Sequence, residues 1–223
     1  MVQRPQKLLS EEMVPAGPSH LLGGATARRG RSGTVATEAD FEPVKVVEYD
    51  PAWPELYERE RDLIDGSLGD LGVAVEHVGS TAVPGLGAKP VIDMMIGVRA
   101  LVDGERCVRP LEELGYEYKG EFGIPRRLYF RKIVEGKRRY QIHMVEAESD
   151  FWERHLLFRD YLREHPEEAH DYYELKVRLA AEFGTDREGY TEAKTEFIRS
   201  MEAKARGTPS AMGQASACRQ PEG

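Results

Sequence analysis

Cysteine, tryptophan and long apolar runs are scarce in this sequence. Its 223 residues include two cysteines, Cys107 and Cys218, and two tryptophans. Two thiols do not build a disulfide framework, and Cys107 falls with Val108 and Leu111 on the apolar side of a predicted helix, where it reads as core. No apolar stretch approaches the ~20 residues of a membrane span. The N-terminus lacks the continuous hydrophobic segment of a secretory signal, so no membrane partner and a cytoplasmic location are expected. Positive charge is also in deficit, with 31 Lys and Arg against 39 Asp and Glu, a net charge of −8. The deficit concentrates in residues 43–205, which carry 24 basic and 33 acidic side chains. Phosphate neutralisation dominates nucleic-acid affinity, so a domain this acidic is not a general nucleic-acid binder. A local basic pocket for one small anion remains compatible with it.

The composition divides the chain into three. Residues 1–42, with Gly23-Gly24, scattered Pro and the cluster Arg28, Arg29 and Arg31, lack periodicity and read as a disordered tail. Residues 206–223 read the same way. Between them, residues 43–205 form one domain. Trp53, Leu56, Tyr57, Leu63, Ile64 and Leu68 recur at three- and four-residue spacings and predict a helix over 52–68. A second helix is predicted over 103–114, ended by Gly115. Strands are predicted at 73–78, 90–98, 116–119, 127–134 and 139–146, the last two joined by the hairpin-length turn 135–138. The remainder is helical. Asp150 with Glu153 resembles an N-cap arrangement, Pro166 opens a further helix, and a last helix starts near Arg187.

The most informative stretch is 75–98. An apolar run ends at Gly79-Ser80, a Gly/Pro-punctuated loop follows, and a second apolar run carries one acid, Asp93. Backbone amides converging at a Gly-Ser turn suit phosphate oxygens, and an acid raised from an apolar strand suits a metal ion. Strand side chains alternate between faces. Ile92, Met94, Ile96 and Val98 therefore share one apolar face, and Asp93 projects from the other. The hairpin strands separate likewise, with Leu128 and Phe130 opposed to Arg127, Tyr129 and Arg131, and Tyr140, Ile142 and Met144 opposed to Gln141 and His143. If the apolar faces share one core, Asp93, Arg127, Arg131, Gln141 and His143 emerge together on the reverse of the sheet. Paired arginines suit bidentate contact with phosphate, and Lys89 suits the same anion as a point charge. His77 is expected to orient the Gly-Ser loop by a hydrogen bond.

Residues 77–93, His-Val-Gly-Ser-Thr-Ala-Val-Pro-Gly-Leu-Gly-Ala-Lys-Pro-Val-Ile-Asp, closely resemble the signature of the GrpB-like family, which also occurs as an extension of some dephospho-coenzyme A kinases. The resemblance extends through His155–Arg163, Leu175-Lys176, Tyr190 and Lys194, covering roughly 44–204. That family is similar to the polymerase-β-type nucleotidyltransferases, whose pattern is Gly-Ser, a spacer, then Asp-x-Asp/Glu on a strand. The resemblance implies an α+β fold, a nucleotidyltransferase-like twisted mixed sheet of about five strands with flanking helices and a helical C-terminal region. It also implies a nucleotide or similar phosphorylated ligand, Mg²⁺ or Mn²⁺ as cofactor, and transfer of a nucleotidyl group to a small acceptor. Gly79, Ser80 and Asp93 match the pattern, with Asp93 as metal ligand and His143 as a second ligand or general base. Position 95 departs from it, because a Met thioether is a poor ligand for a hard cation. A module that holds the anion without catalysis is therefore the competing expectation. No Gly-x-x-x-x-Gly-Lys-Ser/Thr loop is present, so kinase activity in this chain is not expected.

Overall fold

The computed structural model describes residues 43–207. The N-terminal tail, most of the C-terminal tail, Cys218 and the Arg28–Arg31 cluster lie outside the described residues. The order of elements is α1 (Trp53–Leu68), β1 (Ala74–Val78), β2 (Ile92–Val98), α2 (Leu101–Glu113), β3 (Tyr116–Tyr118), β4 (Leu128–Val134), β5 (Lys137–Glu146), α3 (Asp150–Glu164), α4 (Pro166–Phe183), α5 (Arg187–Glu192) and α6 (Thr195–Gly207). The five strands form one sheet in the order β1-β2-β5-β4-β3. Only β2 and β5 run parallel; the other neighbours are antiparallel. The expected α+β architecture with a mixed five-stranded sheet and a helical C-terminal region is the one observed.

Local sequence accounts for most boundaries. The β4–β5 turn reduces to Glu135-Gly136, both with positive φ (52° and 75°), the backbone of a two-residue hairpin that matches strand twist. The α3 cap lies one residue earlier than expected. Ser149 is extended and its Oγ accepts from Trp152 N at 3.4 Å, so Asp150 is the first helical residue rather than the cap. The predicted last helix breaks into α5 and α6, and α6 continues to Gly207, so residues 206 and 207 belong to the fold. No described helix is long and apolar enough to cross a membrane.

The alternation on β2 sorts the two faces. Ile92, Met94, Ile96 and Val98 pack with Leu128, Phe130, Ile142 and Met144 beneath α1 and α2. Burying each such side chain contributes ~1.5–3 kcal/mol. The charge buried on this side is compensated where it stands: Glu60 accepts from Tyr116 Oη at 2.9 Å and from Lys132 Nζ at 2.7 Å. The reverse face is covered by α3 and, beyond it, α4 to α6. Its far half is apolar, with Val78, Met95, Val145 and Trp152 forming one cluster. One ion pair and several hydrogen bonds to backbone carbonyls pin the helices onto β1 and the loop that follows it. Arg159 binds Glu76 at 2.6 Å and the His77 carbonyl at 3.0 Å, Arg163 donates to Ala82 O at 2.9 Å, and Lys176 donates to Gly87 O at 2.5 Å.

Candidate functional site

Between the near half of this reverse face and the C-terminal helices lies a cavity of about 390 Å³. Its floor is built by the loop and β2. Gly79 has a φ of 69°, and a Cβ added there would stand 2.7 Å from Asp93 Oδ2. Only glycine lets the loop pass this close to the acid. Gln141, the β5 partner of Asp93, donates its amide to Asp93 Oδ1 and accepts from Tyr129 Oη at 2.9 Å. An ionised carboxylate only accepts, so the amide nitrogen faces Asp93 and the amide oxygen faces the tyrosine. Burial raises the pKa of Asp93, and Lys89, Gln141, Lys194 and Arg138 each oppose that rise. Gly79, Ser80, Lys89, Asp93, Gln141 and His143 all line the cavity.

His143 occupies an unexpected state. Its Nδ1 lies 3.2 Å from Arg127 Nη1. A guanidinium has no acceptor, so Nδ1 accepts and the neutral ring carries its proton on Nε2. Burial, then the Arg127 charge, holds the ring neutral, with its pKa well below the ordinary histidine value. In this form it offers an N–H rather than a lone pair. His155 of α3, with its ring centroid 6.1 Å from that of His143, is the reverse. Its Nδ1 donates to Phe151 O at 2.7 Å, which leaves Nε2 bare.

Three of the candidate site residues, His77, Arg127 and Arg131, do not line the cavity. His77 pairs with Met94 across β1–β2 and so faces the α1 side, where it stacks on Tyr57 with ring centroids 4.5 Å apart. Burial pushes its pKa down to about 3. Its Nε2 meets Thr81 Oγ1 at 3.0 Å, which is the loop-orienting bond the sequence suggests. Arg131 is buried, with Nε donating to Glu117 at 2.9 Å. Arg127 spends Nη2 on the carbonyls of Glu121 and Phe122 at 3.0 and 2.9 Å. The strand order explains the separation: β5 lies between β4 and β2, and Tyr129 stands on the shared face between the two arginines.

The cations that do line the cavity come mostly from the C-terminal helical region. Seven Lys and Arg side chains contribute: Lys89, Arg138, Arg154, Lys176, Arg187, Lys194 and Arg199. Two acids, Asp93 and Glu202, stand against them, and Glu202 is paired with Arg154 at 3.0 Å. Lys89 Nζ and Lys194 Nζ sit 5.2 and 4.3 Å from the centroid of one ring, Tyr190. Lys176 Nζ sits 4.7 Å from that of Tyr172. Burial, then mutual repulsion, lowers Lys194 to about 7 and Lys176 to about 6. Phe158, Tyr172 and Ile198 supply an apolar wall. The one legible signal was Lys176 and Lys194 falling inside the matched motifs.

The model of the GrpB protein family matches residues 43–204. The chain belongs to the GrpB family. It is 40% identical over 173 residues to a UPF0157 protein of Pseudomonas aeruginosa, covering 76% of this chain and 70% of that one. The crystal structure of GrpB from Enterococcus faecalis is similar at 39% identity with a TM-score of 0.66, covering 72% of this chain and 96% of that one. A dephospho-CoA kinase of Mycolicibacterium paratuberculosis is 27% identical over 230 residues, covering 92% of this chain and 53% of the kinase. The GrpB match and the expected fold therefore agree along the same residues.

Proposed function

We propose that this GrpB protein binds a small phosphorylated ligand, a nucleotide being the expected class, in the cavity between sheet and C-terminal helices. The observation that carries the proposal is the gathering of seven cationic side chains around 390 Å³ against two acids, in a protein of net charge −8. Bringing amines together at a cost in solvation is unfavourable unless an anion compensates them. The volume lies within the ~300–1,000 Å³ of small-molecule sites, and the apolar wall suits a base or similar body. The dephospho-CoA kinase relative supports phosphorylated ligands as a class.

Nucleotidyl transfer is the second reading, resting on the Gly79, Ser80 and Asp93 pattern. Two-metal catalysis needs acids side by side. Here the second position is Met95, fully buried among Val78, Val145 and Trp152. Among the described residues no three His, Cys, Asp or Glu side chains are grouped to hold a metal ion. A Mg²⁺ or Mn²⁺ ion would take Asp93 as its carboxylate and draw its remaining ligands from phosphate and water. These features favour binding over transfer.

Thermal shift with AMP, ATP, GTP and CTP, with and without Mg²⁺ or Mn²⁺, separates the readings. Ligand at a hundredfold excess over Kd adds about 2.7 kcal/mol, a rise of roughly 5–10 °C for a domain of this size. The binding reading expects this rise without metal, lost in Lys194→Ala and kept or enlarged in Asp93→Asn. A rise that requires metal and disappears in Asp93→Asn would hand the site to transfer chemistry. If no anion moves the melting temperature, the proposal fails.

A further inference from the structure

A second concavity, of about 310 Å³, opens where β2 and β5 begin. Six Lys and Arg side chains line it, Lys45, Lys89, Lys137, Arg138, Arg139 and Arg187, and no carboxylate among the described residues does. It is continuous with the inner cavity, because Lys89, Val91, Arg138 and Arg187 line both. Pro43, Val44 and Pro90 form its remaining walls. The parallel pairing of Ile92 with Tyr140 brings the residues preceding β2 alongside the first residues of β5. The sheet thus brings Lys89 beside Lys137, Arg138 and Arg139, and Lys45 and Arg187 join them from two further segments of chain.

Six cations around one groove are unusual in a domain with excess acid, and the groove differs in kind from the inner cavity. The inner cavity has an apolar wall and buried amines. The groove has no aromatic side chain, and its exclusive members Lys45, Lys137 and Arg139 are exposed. Such a surface offers ammonium point charges and guanidinium forks, both suited to phosphate oxygens, with no aromatic face beside them. That chemistry suits a flexible run of phosphates. We infer that the groove is a second anion subsite, holding the oligophosphate tail of a ligand whose bulkier end occupies the inner cavity. Lys89, Arg138 and Arg187 stand at the junction and serve both. The inference rests on the proposed binding function and names the ligand more narrowly: it carries several phosphates, and they run outward toward β5.

Calorimetric titration of the full chain with AMP, ATP and inorganic tripolyphosphate, at low and moderate salt, tests it. Lys137→Glu combined with Arg139→Glu changes only exposed side chains of the groove, and Lys45→Glu provides a second variant on another segment. The expected result is ATP and tripolyphosphate binding weakened about tenfold or more at low salt, AMP within about twofold, and an unchanged melting temperature for the free protein. The salt dependence of ATP binding should also flatten in the variants. An equal loss for AMP and ATP would show a general field rather than a subsite and would overturn the inference. Undiminished ATP binding in both variants would overturn it too, while leaving the inner site standing. Absence of binding by any of the three probes to the wild-type chain would remove the inner site as well.

Discussion

The two faces of the sheet treat buried charge in opposite ways. On the α1–α2 side, Glu60 is enclosed but meets Tyr116 and Lys132 directly, so its charge is answered within the protein. On the α3–α6 side, Lys89, Lys176 and Lys194 crowd two aromatic rings with Asp93 as the acid among them. Burial, with repulsion from neighbouring cations, lowers the pKa of all three amines. The first face carries its own counter-charges; the second leaves more cations than acids around its cavity. The division even runs within the reverse face, where Met95 and Trp152 close one half while Gly79, Asp93 and Gln141 line the open half.

The largest expected effect comes from forcing the two halves of the reverse face to resemble each other. Met95→Asp would place a carboxylate in the cluster of Val78, Val145 and Trp152. It should cost about 4 kcal/mol or more, seen by denaturant unfolding, because nothing there can hydrate or pair it. A stable variant with new metal-dependent nucleotide turnover would break the comparison. Next, Phe130→Ala on the α1–α2 side should cost ~3–5 kcal/mol and leave ligand affinity of the folded fraction within about twofold.

The pH dependence distinguishes the faces without mutation. Lys176 titrates near 6 in the folded chain against an ordinary lysine value of 10.5, and Lys194 and Lys89 are lowered in the same direction. Between those values the unfolded chain holds protons that the folded chain lacks, so stability of the free protein rises with pH through this window. His77, near 3 when folded against 6.5, extends the loss of stability on the acid side. A bound polyphosphate recharges the lysines and should flatten the slope above pH 6, as should Lys176→Met. Melting temperatures from pH 5.5 to 9.5, with and without ligand, check this. A slope indifferent to ligand would mean that the amines do not meet the anion.

Smaller effects follow. Arg127→Ala should cost ~1–3 kcal/mol by freeing the Glu121 and Phe122 carbonyls and His143, with ligand affinity changed less than threefold. A loss of binding above tenfold would return this residue to the ligand site. Arg109→Ala, which breaks an exposed pair with Glu113 on α2, should stay within about 0.5 kcal/mol.

Much of the fold was legible because it rests on local rules. Alternation along 92–98 placed Asp93 opposite the core, Gly and Pro marked the turns, and a hairpin was expected at 135–138, which the structure tightens to Glu135-Gly136. The candidate site was legible only in part. Period-two alternation says which face a side chain takes, so Asp93, Gln141 and His143 were found. It does not say which strand lies next to which. Insertion of β5 between β2 and β4 carried Arg127 and Arg131 out of the site and into ties with the 120–122 loop and Glu117. On β1, the register turned His77 to the other layer.

By itself the sequence determined the layered α+β frame, the acid on the reverse of the sheet, and the glycine that lets the loop reach it. Only the tertiary structure decided where the positive charge goes. A lysine on a helix looks the same in sequence whether it points to water or into a cavity. The docking of α3 to α6 over the sheet and its loop, fixed by contacts such as Lys176 to Gly87 and Arg159 to Glu76, gathered cations scattered along the sequence around one cavity.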